Sequence, residues 1–284
     1  MRHDRTVRTI ALTAIAMVAF AANSLLCRPA LGLELIDPAT FTSVRVLSGT
    51  VTLILIVSLR RAPKDTRRGD WRAPVMLFAY MIFFSFAYLS LSAGTGALIL
   101  FGAVQLTMFI AALRSGEHFP ILSWVGLSLA VAGLLYLVWP GVTAPDPLGA
   151  VLMAVAGIAW GFYSLLGRGV ANPSIATARN FTYSVPLALV ASLIFIQRLE
   201  YSPEGLVLAV ASGAIASACG YAIWYAALPR LSGTGAATVQ LSVPVIAAIG
   251  GVMLLGEAVS LRLVIASAAT LGGIAIAILR QRAE

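Results

Sequence analysis

Residues 94–117 read GTGALILFGAVQLTMFIAALRSGE, and residues 233–257 read GTGAATVQLSVPVIAAIGGVMLLGE. Each stretch opens on Gly-Thr-Gly-Ala, continues as a long apolar run and closes on Gly-Glu. The openings lie 139 positions apart in a chain of 284 residues, so a unit of half the chain is present twice. Two copies of one membrane module is the organisation this implies.

Hydrophobic residues make up 60% of the chain and charged residues 11%, with mean hydropathy +0.95, which is far from the composition of soluble domains. A bilayer core about 30 Å thick calls for about 20 apolar residues per helix. Such runs are expected at 9–26, 38–59, 72–92, 94–113, 121–139, 147–167, 174–197, 204–228, 232–255 and 261–279. Strand-like alternation is absent, which disfavours a β-barrel. The expected fold is therefore an all-α membrane protein with ten transmembrane helices, in two five-helix repeats at 1–140 and 141–284. An odd number of spans per repeat inserts the second copy upside down. Inverted repeats of this kind mark alternating-access carriers that bind substrate between their halves, around a central cavity.

Ala19-Phe20-Ala21 mimics a signal-peptidase site. Beyond it, Ser24-Leu25-Leu26-Cys27-Arg28 matches Ser164-Leu165-Leu166-Gly167-Arg168 of an internal helix, so the first helix is expected to be retained. Fourteen of the 19 Lys and Arg fall in the N-terminal tail, alternate loops and the C-terminal tail, six of them in the polar insert 60–72. Only Arg28, Arg198 and Arg262 fall in the opposite loops. The positive-inside rule then puts both termini in the cytoplasm, and a bacterial inner membrane is expected. This distribution also explains the net charge of +8 without nucleic acid. Cys27 and Cys219 stand in apolar segments with no CxxC or Cys/His cluster, so no metal and no cofactor is implied.

The paired GTGA openings, the Gly-Glu endings, Pro244 in LSVPVIAAIGG and the duplicated ten-helix plan resemble the drug/metabolite transporter superfamily in its EamA-type branch. The resemblance covers nearly the whole chain. It implies an exporter or exchanger of small metabolites without an ATPase domain, built round a central cavity lined by helices 1, 3, 4, 6, 8 and 9. Gln105 departs from the pattern, because it aligns with Pro244 where the family usually has proline in both copies. A polar residue there suits an exporter of amino acids, including aromatic ones; exporters of drugs or other metabolites in the same superfamily are the alternative, and a channel is the third.

Helix 3 spaces Tyr80, Phe84 and Tyr88 on one face, helix 8 carries Tyr221, Trp224 and Tyr225, and helix 6 adds Trp160 and Tyr163. Near helix ends such rings anchor or pack, as for Tyr88 and Tyr225. Deeper in the membrane their polar tips need partners, so Tyr80, Phe84, Trp160, Tyr163, Tyr221 and Trp224 are expected to face substrate. The amides Asn23, Gln105 and Gln240 either bond across helices or orient a polar substrate. Arg45 and Arg179, about six residues into helices 2 and 7, are expected to snorkel to the interfaces in paired structural or gating roles; contact with a substrate carboxylate is the sharper reading. Glu117 and Glu257 are expected to cap the following helix or to pair with Arg114 or Arg262. Pro186 and Pro244 supply bending points. No carboxylate lies mid-helix and no nucleotide or hydrolase motif is present, so proton coupling through a buried carboxylate and enzymatic chemistry are not expected. The expected partners are a small-molecule substrate and membrane lipid, with a monomer as the simplest working unit.

Overall fold

Ten helices are present in a computed structural model that describes residues 2–59, 70–168, 170–231 and 233–280. They are α1 (Arg2–Gly32), α2 (Pro38–Leu59), α3 (Arg72–Ala87), α4 (Ala93–Arg114), α5 (Ile121–Val138), α6 (Pro147–Leu166), α7 (Pro173–Ile194), α8 (Pro203–Arg230), α9 (Gly233–Gln240 continued by Ser242–Leu255) and α10 (Leu261–Arg280). Residues 60–69, the bulk of the basic insert, lie outside the described residues. Eight helices are long and apolar enough to cross a membrane on their own; α3, with 16 residues, and α7, which carries Arg179 and Asn180, are not among these.

The helix boundaries follow from local chemistry. Four helices start on a capping side chain followed by proline. Asp37 accepts from Ala39 and Thr40 N–H at 3.0 and 2.9 Å before Pro38, and Asp146 accepts from Gly149 at 2.6 Å across Pro147. Asn172 and Ser202 cap Pro173 and Pro203 in the same way. The cap satisfies an orphan N–H, and proline at the first helical position gives up only a donor that had no partner. The two Gly-Glu endings are helix stops: Gly116 and Gly256 take φ of +85° and +66°, a conformation that costs glycine little. Helix 3, expected to reach residue 92, ends at Ala87 because Ser92 caps α4 on Thr95 N–H and holds 88–92 as a turn.

Two irregularities separate the repeats. Pro244 has no N–H to give the Gln240 carbonyl, and α9 breaks between Gln240 and Ser242. Its counterpart α4, with Gln105 at the equivalent place, runs unbroken. Helix α8 is wound as a π-helix from Ala211 to Cys219, a rare geometry that frequently marks functional sites.

The most extensive packings all cross between the two halves of the chain. Helix α5 lies on α10, α2 on α7 and α4 on α9; α1 packs against α8 and α9 as α6 packs against α3 and α4, and α2 meets α8 as α7 meets α3. Adding five to every helix number returns the same pairs, which is the two-fold relation of the repeats. The halves interleave instead of forming two globules. Small residues permit this closeness: Gly126 and Gly273 meet backbone to backbone at the α5–α10 crossing, and Gly157 lies against the Leu100 carbonyl between α6 and α4.

At the face opposite the termini the loops are tied together. Asp37 N–H donates to the Glu200 carbonyl at 2.8 Å, Ser202 N–H to the Leu35 carbonyl at 2.7 Å, and Ile36 forms an antiparallel bridge with Tyr201.

Candidate functional site

The inward faces of α1, α2, α3, α4, α6 and α8 surround a cavity of about 10 Å³ near the middle of the bundle, about enough for one water. Phe20, Asn23 and Ser24 of α1, Arg45 of α2, Tyr80 and Phe84 of α3, Leu100 and Phe101 of α4, Trp160 of α6, and Ser217 and Tyr221 of α8 line it. In this structure the cavity is too small to hold a metabolite. A second, larger hollow of about 840 Å³ lies between α4, α5 and α6, with walls almost wholly apolar. Ile110, Val151 and Ile158 in those walls are exposed, as side chains facing lipid would be, so the central cavity is the candidate for substrate.

Its aromatic wall obeys the two-fold relation. Phe20 and Trp160 occupy equivalent positions 140 residues apart, as do Tyr80 and Tyr221 at 141. Phe20 meets Tyr221 with ring centroids 5.6 Å apart, and Trp160 stacks on Tyr80 at 5.1 Å. Phe20 and Trp160 meet edge to face at 6.2 Å and close the ring of side chains.

The polar wall is asymmetric. Asn23 Oδ1 accepts from Ser212 Oγ at 2.9 Å and from Ser217 Oγ at 3.2 Å, both delivered by the π-helical stretch of α8. Arg45 is 1% exposed. Its Nη2 donates to Tyr80 Oη at 3.1 Å and to Ser217 Oγ at 3.3 Å, and its guanidinium lies 5.1 Å from the Phe84 ring centre and 5.5 Å from that of Tyr80.

The EamA-like transporter family matches residues 7–139 and again 147–279, and each match contains five of the ten helices. The chain belongs to the EamA-like transporter family. An uncharacterized protein of Pseudomonas aeruginosa is 49% identical over 95% of this chain and 94% of its own length. An uncharacterized transporter of Archaeoglobus fulgidus is 24% identical over 96% and 98%, and the Bacillus subtilis uncharacterized transporter YwfM is 24% identical over 81% of each chain. A protein crystal structure with 21% sequence identity matches with TM-score 0.66 over 95% of this chain and 98% of that one, which is a likeness of fold alone. The protein is a multi-pass membrane transporter of the EamA, drug/metabolite transporter type.

Within this EamA fold, Asn23, Tyr80, Phe84, Trp160 and Tyr221 come together at one cavity. Trp224 supports the wall from behind, 6.1 Å from Phe20, and Tyr163 is buried beside Asn180 and Thr177 of α7. Gln105 and Gln240 do not line the cavity: Gln105 lies one turn along α4 from Phe101, and Gln240 stands at the break in α9. Helix α2 takes the place expected for helix 9 in the wall.

Arg45 does not snorkel; it lies at the centre, and Arg179 is not its counterpart. Arg45 is the seventh residue after Pro38, whereas the seventh after Pro173 is Asn180. One residue turns a helix by about 100°, so Arg179 points away from the direction Arg45 takes. The threonines follow the same register, for Thr42 and Thr177, each the fourth residue after its proline, bond across to Ser85 of α3 at 2.9 Å and to Tyr225 of α8 at 3.0 Å, partners that are not themselves equivalent.

Glu257 caps neither the next helix nor Arg262. Both its oxygens accept from Ala93 N–H, at 3.0 and 2.9 Å, at the start of α4, and Arg28 Nε lies 3.4 Å away. Arg28 also donates to the carbonyls of Tyr88 and Leu89, while Arg262 donates to Trp139 O. Glu117, at the end of α4, is exposed. Pro186 sits within α7 without interrupting it.

Phe20, Ser24, Phe101, Ser212 and Ser217 are wall or cluster residues that the sequence reading passed over. Phe20 and Ser24 were in reach of it, since Phe20 stands three residues before Asn23 and four before Ser24, the spacings that share a helix face. The serines were not, because the π-helical winding alters which residues of α8 share a face.

Proposed function

We propose that the protein is an alternating-access carrier that exports small, partly apolar metabolites from the cytoplasm, amino acids including aromatic ones foremost. It acts as a monomer in a bacterial inner membrane with both termini cytoplasmic, the repeats at 1–140 and 141–284 moving against each other. The observation that carries the reading is the small central cavity between interleaved repeats, ringed by Phe20, Trp160, Tyr80 and Tyr221 and polar on one side. Aromatic faces suit an apolar side chain, and Asn23, Arg45 and Ser217 suit a polar end. The tied loops opposite the termini fit a carrier closed toward that side, the exit in this reading. A pore needs no such seal.

Counterflow in proteoliposomes tests this. Vesicles loaded with unlabelled phenylalanine, leucine or alanine should accumulate the labelled amino acid in a saturable way, faster than vesicles loaded with buffer. Uptake equal to that of protein-free vesicles for every amino acid refutes the amino-acid reading. Flux that neither saturates nor responds to internal substrate refutes the carrier.

A further inference from the structure

We propose that the central cavity recognises its substrate by a carboxylate seated on Arg45, and that a substrate ammonium group is not required. The inference rests on the carrier reading and narrows its substrate class. A guanidinium has five N–H donors in a plane and stays charged at any physiological pH. Here Nε and Nη2 meet only neutral oxygens, of Ser217 and Tyr80, while Nη1 is buried with no hydrogen-bond partner. No carboxylate lines the cavity among the described residues. Asn23 Oδ1, a neutral acceptor in the same wall, is already committed to Ser212 and Ser217. A cation held away from water without an opposite charge is costly. The two N–H groups of Nη1, on a residue that lines the cavity, are left to donate charge-assisted hydrogen bonds to a carboxylate oxygen.

Packing does not require the charge, because the two-fold counterpart of Arg45 is the neutral Asn180, also buried. The surroundings disfavour an isolated amine. Arg45 repels it, and the guanidinium already lies against Phe84 and Tyr80. The remaining rings, Phe20, Trp160 and Tyr221, supply apolar faces for the rest of the molecule once the ring of side chains parts.

Three compounds of one shape separate the groups: phenylalanine, 3-phenylpropionate without the ammonium, and phenethylamine without the carboxylate. Each is tested on the purified full-length chain for a rise in Tm and in proteoliposomes for counterflow. Phenylalanine and 3-phenylpropionate should stabilise the protein and exchange, and phenethylamine should do neither. Arg45→Gln should raise KM for both carboxylates by about 10- to 100-fold, the loss expected for hydrogen bonds to a charged group. Arg45→Lys, which keeps the charge without the guanidinium's set of donors, should fall between. Should Arg45→Gln fail to fold, the wild-type series and Arg45→Lys decide. Exchange of 3-phenylpropionate without phenylalanine upholds the carboxylate seat and removes the amino-acid reading. Phenethylamine moving as well as the acids, or Arg45→Gln binding them as the wild type does, overturns the seat and leaves a carrier standing. Neither acid binding nor moving overturns the seat outright.

Discussion

Glu257 should hold the face opposite the termini shut, and its removal should open that face by a measurable factor. Its carboxylate accepts from Ala93 N–H at the start of α4, a charge-assisted bond of about 1.5–3 kcal/mol where the helix dipole contributes about 0.3–1 kcal/mol. The pair with Arg28 is 29% and 16% exposed, so solvent screening limits it to about 1 kcal/mol or less. These contributions overlap, and about 2 kcal/mol is a fair net loss for Glu257→Ala, with about half for Glu257→Gln, which keeps a neutral acceptor. If the bonds exist only in the closed state, the open population rises about 30-fold and about 5-fold respectively. Cys27 reports on it: fully buried, it lies on α1 one turn beyond Ser24 of the cavity and next to Arg28 of the tie. In a Cys219→Ser background, a membrane-impermeant maleimide applied from the face opposite the termini should label Cys27 faster by those factors, provided reclosing outruns labelling. Equal rates in wild type, Glu257→Gln and Glu257→Ala, with all three properly inserted, would refute the gate. Acceleration seen only from the terminal face would refute its assignment to the opposite side.

Three further outcomes are expected. Gly273→Ala sets a Cβ against the backbone of Gly126 in the α5–α10 crossing and should cost about 1–3 kcal/mol, whereas Gly272→Ala meets no atom within 4 Å and should be neutral or stabilising; Tm values in one detergent compare them, and equal shifts would contradict the packing. Trp160→Ala removes a ring that stacks on Tyr80 and touches Phe20 and Phe101, and should lower counterflow of aromatic substrates more than tenfold on an estimate of about 1.5–3 kcal/mol for the lost contacts; Gln105→Ala, outside the cavity wall, should stay within about twofold of wild type, as surface-like changes do. Pro244→Ala restores the donor that α9 lacks at Gln240, so Tm should rise while turnover slows, and an unchanged rate would show that the break plays no part in opening.

Periodicity and punctuation made the scaffold legible in the sequence. Apolar run lengths placed all ten helices, and Asp37-Pro38, Asp146-Pro147, Asn172-Pro173 and Ser202-Pro203 mark starts that a cap and a fixed φ enforce locally. The cavity was legible only in part. Tyr80, Phe84, Trp160, Tyr221 and Asn23 announce themselves as large or polar groups deep in apolar helices, which need partners wherever they point. Arg45 was misplaced, because counting from helix starts hid a one-residue difference between α2 and α7 that only the shared proline reveals. Ser212 and Ser217 depend on a π-helical winding with no local sequence signature. Glu257 reaches across to α4, 164 residues away, and no local rule announces such a partner.

The scaffold is two-fold and the chemistry is not. Helix pairs, the aromatic quartet and the inward placement of Thr42 and Thr177 all repeat under exchange of the halves. Arg45 against Asn180, the broken α9 against the straight α4, and the π-helix of α8 against regular α3 do not. A carrier gains from both properties. Exchanging the conformations of two similar halves gives inward-open and outward-open states of comparable energy, so neither traps the substrate. A substrate with one charged end and one apolar end has no two-fold symmetry, so the groups that bind it must break the pattern. The positions where the repeats differ in charge or winding are therefore where substrate choice should be altered, and the positions where they agree are where alteration should change rate or assembly instead. Exchanging Arg45 and Asn180 in a double variant separates the two: retained folding with altered preference between 3-phenylpropionate and phenethylamine is expected. Loss of the folded protein, with each single variant folded, would show that the asymmetry serves packing.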